Sequence, residues 1–423
     1  MIYYQRGSSS DRLSAFEMKE GLHHALRQMG EKKRVLLIPP DFTRLHSRAG
    51  DLTALAYDYY KSSVAAVLPA LGTHRPMTEA EIAAMFPGVP PDLFRIHDWR
   101  HGLATLGRIP AEYLAAVSEG AVDYDWPAQV SSLLLEGDYD LILSIGQVVP
   151  HEVAGMANYN KNLFVGTGGA EGINKSHFLG AAYGMERIMG RTDNPVRDVL
   201  NRASDQFLRD LPIVYVQTVV GRDDSGQLAL RGLFIGDDEA CYQLAAGLSL
   251  QVNFTMLDAP LRKVVVYLDP QEYKSTWLGN KSIYRTRMAI ADGGELVILA
   301  PGLREFGEDA EIDQLIRRYG YAGTPAVLDW LQSDAPLQQN LSAAAHLIHG
   351  SSEGRFSVTC CPGGLSRQEI ESVHFHYADL QHMMQRYDPE SLAEGYNRLG
   401  DGEEIFFIHN PAIGLWSFRE RFK

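Results

Sequence analysis

The stretch Asp140-Leu-Ile-Leu-Ser-Ile-Gly-Gln-Val-Val-Pro150-His151-Glu-Val-Ala-Gly155 is a short apolar run that ends on a histidine. Such a run between polar flanks predicts a buried strand, Tyr139 to Ile145, with His151 just past its carboxyl end. A second stretch, Ala65-Ala-Val-Leu-Pro-Ala-Leu-Gly-Thr-His74, reads as a strand that closes on a histidine in the same way. A third, Lys33-Arg-Val-Leu-Leu-Ile-Pro39, places Asp41 beyond its end. Between them, Asp51 to Lys61 predicts a helix, and another starts at Thr78, where Thr78-Glu-Ala-Glu81 has capping-box spacing. Leu93 to His97 is a further strand candidate. Strand and helix in alternation predict an α/β sheet, and such sheets collect ligands beyond the carboxyl ends of their strands.

Working outward, 212–220 and 228–235 flank Asp223-Asp-Ser-Gly226 and predict a β-hairpin. A second α/β series begins near Arg262, with strands at 263–268, 295–300 and 355–359. Its helical patterns fall at 281–291, 309–319, 323–332, 342–348 and 367–374. The expected fold is α/β in two domains, 1–255 and 256–423. Each is a mostly parallel sheet flanked by helices, with the active site in the cleft between them. The last strand, 404–408, fits either domain.

The 423 residues are 45% hydrophobic and 22% charged, ordinary globular values. Three cysteines, two of them adjacent, make neither a disulfide framework nor a zinc pattern, so a reducing, cytoplasmic setting is expected. No signal-peptide core and no run of eighteen apolar residues is present, which argues against a membrane partner. A net charge of -14 argues against nucleic acid and requires a local basic clamp for any anionic substrate.

Each candidate site residue has an ordinary explanation when taken singly. Asp41-Phe-Thr-Arg44 is either a loop-holding ion pair or a clamp for a hydroxy acid, since the guanidinium fork suits a carboxylate. His74 and His151 are hydrogen-bonded loop histidines, or acid/base groups with an unperturbed pKa of about 6.5. Lys161 has the form of a surface lysine. The turn around Gly168 and Gly169 is a weak phosphate-cradle signal, and Lys281 opens a basic helix face. Two imidazoles at matching strand ends, followed by Lys161 and His177, favour a reaction centre.

Together these residues resemble the lactate racemase family, whose members use a nickel-pincer nucleotide. The resemblance rests on Asp41-Phe-Thr-Arg44, Gly72-Thr-His74-Arg, Val149-Pro-His151-Glu-Val-Ala-Gly155, Lys161 and His177, in that order. It implies that Lys161 is the covalent attachment point of the cofactor and His177 its one protein ligand to nickel. Gly168 and Gly169 would also meet the cofactor, with His74 and His151 as the acid/base pair. Asp41, Arg44 and Lys281 would orient substrate. It also implies cofactor-maturation proteins as partners, and an oligomer is possible. The N-terminal domain would carry cofactor and histidines, and the C-terminal domain would add substrate contacts.

Two places differ from the racemase-type pattern. Asn158-Tyr-Asn160 stands before Lys161 in place of Gly-Gly-Arg, and Leu278 replaces a glutamine. The segment Trp277 to Arg287 resembles the sugar-acid branch, with Trp277, Asn280 and Arg285 offering new surface and donors. The expected activity is inversion at C2 of a 2-hydroxy acid, an aldonate such as gluconate or mannonate. The alternatives are a lactate- or malate-type racemase, a zinc hydrolase using the three histidines, and a non-catalytic sugar-acid-binding protein.

Overall fold

The computed structural model describes residues 1–223, 226–412 and 414–422. The chain forms two compact units, Met1–Leu179 with Arg187–Asn253, and Gly180–Glu186 with Phe254–Lys423.

The first unit is built on six strands: β1 (Ile2–Gly7), β2 (Val35–Ile38), β3 (Val64–Val67), β4 (Leu141–Gln147), β5 (Ile213–Arg222) and β6 (Leu228–Gly236), in the order β1-β6-β5-β4-β2-β3. The pairs from β5 to β3 are parallel, while β6 and β1 add an antiparallel edge. β2 and β4 are buried along their whole length, as a parallel sheet covered on both faces requires. On one face the helices Ala15–Met29 and Ala49–Tyr60 bring Met18, Leu22, Leu26 and Leu52 against Leu37, Leu143, Ile145 and Val216. The other face is met by the helix Glu239–Asn253, whose Cys241 sulfur lies 3.7 Å from Gln217 Nε2.

The second unit holds β7 (Leu261–Tyr267), β8 (Ile290–Ala300), β9 (Ser357–Pro362), β10 (His376–Tyr377), β11 (Gly395–Arg398) and β12 (Glu404–Ile408), in the order β10-β9-β8-β7-β12-β11. All neighbours are parallel except β11 and β12. Val265, Val297, Leu299, Ile405 and Phe407 form one core face with Cys361 and Tyr387. Both units are thus α/β, with mostly parallel sheets flanked by helices.

Several elements depart from the sequence reading. The strand expected to reach His74 ends at Val67, although Leu68 N and Ala70 N still donate to Leu37 O and Pro39 O at 2.8 Å. Only a single bridge, Pro40 to Ala70, continues the pairing. Leu93 to His97 is no strand: Pro91–Leu93 is a 3-10 turn and Phe94 makes one isolated bridge. The helix expected over 281–291 stops at Thr286, and β8 begins at Ile290. The antiparallel ribbon of Leu103–Ile109 with Trp126–Ser131 was not read at all. The capping box at Thr78 is present, with Thr78 Oγ1 accepting from Glu81 N at 3.2 Å and Glu81 Oε2 accepting from Thr78 N at 2.8 Å. The hairpin of β5 and β6 forms, although Asp224 and Ser225 of its expected turn lie outside the described residues.

Candidate active site

Past the end of β2, the chain leaves through Pro39-Pro40 and Asp41 caps the 3-10 turn Phe42–Ser47. Asp41 is 6% exposed, and both of its oxygens are engaged. Oδ1 accepts from the Thr43 amide at 3.2 Å and from the Thr43 hydroxyl. Oδ2 lies 2.6 Å from His74 Nδ1. Burial pushes this carboxyl up, but the bond and charge of His74, with Thr43 and Arg44, outweigh it and hold its pKa below the ordinary value. Asp41 was expected to face substrate; the structure makes it the orienting partner of His74. Its Nδ1–H donates to the carboxylate, so the lone pair sits on Nε2 of a half-exposed ring.

His151 lies in a two-residue ribbon, Pro150–His151 against Gly155–Met156. Gly155 closes it at φ +73°, and a Cβ there would meet Arg191 O at 1.9 Å. His151 Nδ1 accepts from Val153 N at 3.1 Å, so the neutral ring carries its proton on Nε2. Burial, first of all, holds its pKa well below 6.5; Lys161, Arg44 and His177 act in the same direction against Glu152. The two histidines therefore present opposite tautomers, with His74 a base at Nε2 and His151 a donor at Nε2.

Lys161 sits on the short helix Asn160–Phe164, half-buried. Burial lowers its pKa to about 8, with Arg44 and Arg197 adding to the effect. Asn158 and Tyr159 before it have φ of +66° and +58°. The backbone keeps a glycine-type shape where the racemase-type pattern has two glycines. A buried Arg197, 0% exposed, pins this loop: Nη1 donates to Asn160 Oδ1 at 2.6 Å and Nη2 to Met156 O at 2.7 Å. Its guanidinium lies 4.6 Å from the Tyr242 ring, on which Tyr159 stacks. Sequence reasoning missed Arg197, because an arginine in an amphipathic helix normally reads as solvated.

His177 lies on the helix Ala170–Tyr183 and donates Nδ1–H to Ile173 O at 2.7 Å. That bond leaves its lone pair on Nε2, the arrangement usual for a metal-ligating imidazole. Burial, then Lys161, lowers its pKa to about 4, so the ring is neutral at neutral pH. The mutual charge effects among Arg44, His74, His151, Lys161 and His177 place them in one neighbourhood. The glycine turn joins it through Gly72 N, which donates to Gly166 O at 2.8 Å. Gly168 is required by packing, since an added Cβ would meet Phe164 O at 1.8 Å, while at Gly169 it would meet the side-chain atom Gln129 Oε1 at 2.5 Å.

In the second unit, Lys281 is half-buried, with Nζ 5.7 Å from the Tyr273 ring. Asn280 and Arg285, expected to offer donors near substrate, lie in the interior of this unit. Both are 1% exposed; Asn280 Nδ2 faces His346 Nε2 at 3.5 Å and Arg285 Nη1 donates to Gly414 O at 3.4 Å. Trp277 stands half-buried against His346, ring centroids 4.4 Å apart. Among the described residues, no three His, Cys, Asp or Glu side chains gather to hold a metal, so the three-histidine zinc reading finds no site. No helix among them is long and apolar enough to cross a membrane.

The first unit thus carries two oriented imidazoles, a lysine of lowered pKa and a third imidazole with a free Nε2 lone pair. Residues 21–187 match the family model described as the lactate racemase N-terminal domain. Over those residues the chain is similar to the lactate racemase N-terminal domain. A crystal structure of a protein from Thermotoga maritima is similar at TM-score 0.82 and 25% identity, over 97% of this chain and 99% of that one. The lactate racemase apoprotein from Thermoanaerobacterium thermosaccharolyticum is similar in fold at TM-score 0.69 and 17% identity, over 98% of this chain and 94% of that one. No curated protein matches by sequence. The match to that domain supports an isomerase that racemises or epimerises a 2-hydroxy acid.

Proposed function

We propose that the chain inverts C2 of a polyhydroxylated 2-hydroxy acid, an aldonate such as gluconate or mannonate, with a nickel-pincer nucleotide as cofactor. The observation that carries this reading is the pair of opposite tautomers, fixed by Asp41 at His74 and by the Val153 amide at His151. Inversion by hydride return needs a base that takes and returns the C2 hydroxyl proton and a donor that holds the C2 oxygen in the opposite configuration. The residues suit the cofactor: His177 offers an Nε2 lone pair, and Lys161 has an amine that loses its proton near pH 8. Imidazole is a sensible nickel ligand. Once bound there, the nucleotide would supply a reversible hydride acceptor, which avoids ionising a very weakly acidic C–H.

The chain's own groups do the rest. His74 Nε2 takes the hydroxyl proton. Its imidazolium is stabilised by the Asp41 carboxylate. Arg44 pairs with the substrate carboxylate through its fork. His151 donates its Nε2–H as a hydrogen bond to the C2 oxygen when the opposite configuration forms, and the proton held by His74 returns to that oxygen. A neutral donor there stabilises the oxygen without holding a charge in a buried place. The Gly168–Gly169 turn, which precedes the helix Ala170–Tyr183, is the proposed cradle of the nucleotide phosphate. Cofactor-maturation proteins are the partners this requires.

The test is a C2-inversion assay of protein matured with those partners, using gluconate, mannonate, malate and lactate, with nickel measured in the same sample. Inversion of the aldonates ahead of lactate supports the reading. Preference for lactate or malate would leave the mechanism and remove the sugar acid. No inversion in nickel-loaded protein would remove both.

A further inference from the structure

Asn158 stands three residues before Lys161, 6% exposed, and both ends of its carboxamide, Oδ1 and Nδ2, are without a hydrogen-bond partner. Its backbone is left-handed at φ +66°. Each feature has a cost. Left-handed backbone still favours glycine, although asparagine tolerates it better than other side chains do, and a buried amide with nothing to bond loses its hydration uncompensated. A glycine would remove both, so the side chain is retained against stability. Residues held this way are typical of ligand contacts.

The position agrees. The carboxamide lies over Gly146, near the carboxyl end of β4, where a Cβ would meet Asn158 Oδ1 at 2.6 Å and Cγ at 3.0 Å. Gly146 thus makes the space the amide occupies. β4 is the strand that leads to His151, and the Asn158 loop leads directly to Lys161. Charge is already supplied in this neighbourhood by Arg44 and Lys161. What Asn158 adds is a neutral group that both donates and accepts. A hydroxyl, itself donor and acceptor, is its natural complement; a carboxylate or a methyl group is not.

We propose that Asn158 is a specificity-determining residue whose carboxamide binds a chain hydroxyl of a polyhydroxylated 2-hydroxy acid. This rests on the C2-inversion reading and names the residue that sets its substrate class.

The test is Asn158→Gly. The apoprotein should have an equal or higher Tm than wild type, because strain and an unpaired amide are both removed. Protein matured with nickel should keep its nickel content and its Lys161 adduct. By calorimetry, its affinity for D-gluconate should fall roughly tenfold or more, while that for lactate stays nearly constant. A clear fall in apoprotein Tm would make the amide structural. Loss of nickel or adduct would make it a cofactor contact. Equal weakening of gluconate and lactate would remove it from specificity. Any of these overturns the proposal. Failure of the wild-type matured protein to invert any hydroxy acid would instead defeat the reading beneath it.

Discussion

Replacing Asp41 by Asn keeps the shape of the side chain and reverses one hydrogen bond. At the Oδ1 position two donors converge, the Thr43 amide and the Thr43 hydroxyl. The asparagine must therefore put its oxygen there and its NH2 toward His74. An NH2 cannot accept from Nδ1–H, so His74 must switch its proton to Nε2 and accept at Nδ1 instead. The nitrogen that serves as base is then capped by a proton. The imidazolium also loses its carboxylate. A positioned acid/base is worth ~10²–10⁴-fold, or about 2.7–5.4 kcal/mol of barrier, and the wrong tautomer forfeits most of it. Turnover should fall by that factor in both directions, because interconversion uses both histidines. Two measurements separate this from misfolding or lost cofactor: nickel content, which should not change, and the ring-nitrogen NMR of His74 in the apoprotein, which should show protonation moving from Nδ1 to Nε2. A D41N protein that turns over at near wild-type rate with nickel bound, or one whose His74 keeps its tautomer, refutes the reasoning.

Other outcomes follow from the same geometry. Lys161→Met should stabilise the apoprotein at pH 7, because a buried ammonium is removed; the lysine's folded pKa of about 8 lies below its ordinary 10.5, so the advantage should shrink as pH rises through that window in urea titrations. His177→Ala should leave a folded protein that retains no nickel; stoichiometric nickel in the variant would end the ligand assignment. Arg197→Met should leave the Asn160 amide oxygen unpaired, at about 1–3 kcal/mol, and leave the Met156 carbonyl with only the Tyr242 hydroxyl as donor, which denaturant unfolding reads directly; an unchanged midpoint would show the loop holds itself. His151→Ala should cut turnover by ~10²–10⁴-fold with nickel retained, and near-normal turnover would remove it from the mechanism.

The parallel strands were the most legible part of the sequence. Val35–Ile38 and Leu141–Gln147 are covered on both faces, so they appear as unbroken apolar runs. Thr78 and Glu81 were legible because capping is local. The chemistry-bearing residues were readable as a set in order, but their partners were not. That Asp41 serves His74 depends on two loops meeting across 33 residues. That Asn280 and Arg285 turn inward depends on which helix face the second unit covers, and a six-residue helix has too little periodicity to declare it. The ribbon of Leu103–Ile109 and Trp126–Ser131 was hidden because its outer strand is only partly buried and shows no clean alternation. Arg197 was hidden by its type, since buried arginines without a carboxylate partner are rare.

The central claim is that C2 is inverted by hydride removal and return between two histidines of fixed tautomer. The most direct measurement is NMR of D-gluconate incubated in D2O with nickel-verified, matured protein. The account predicts that the C2 epimer accumulates with its original hydrogen still on C2, since the hydrogen travels as hydride and never mixes with solvent. Deuterium at C2 in each inverted molecule would mean proton abstraction and would contradict it.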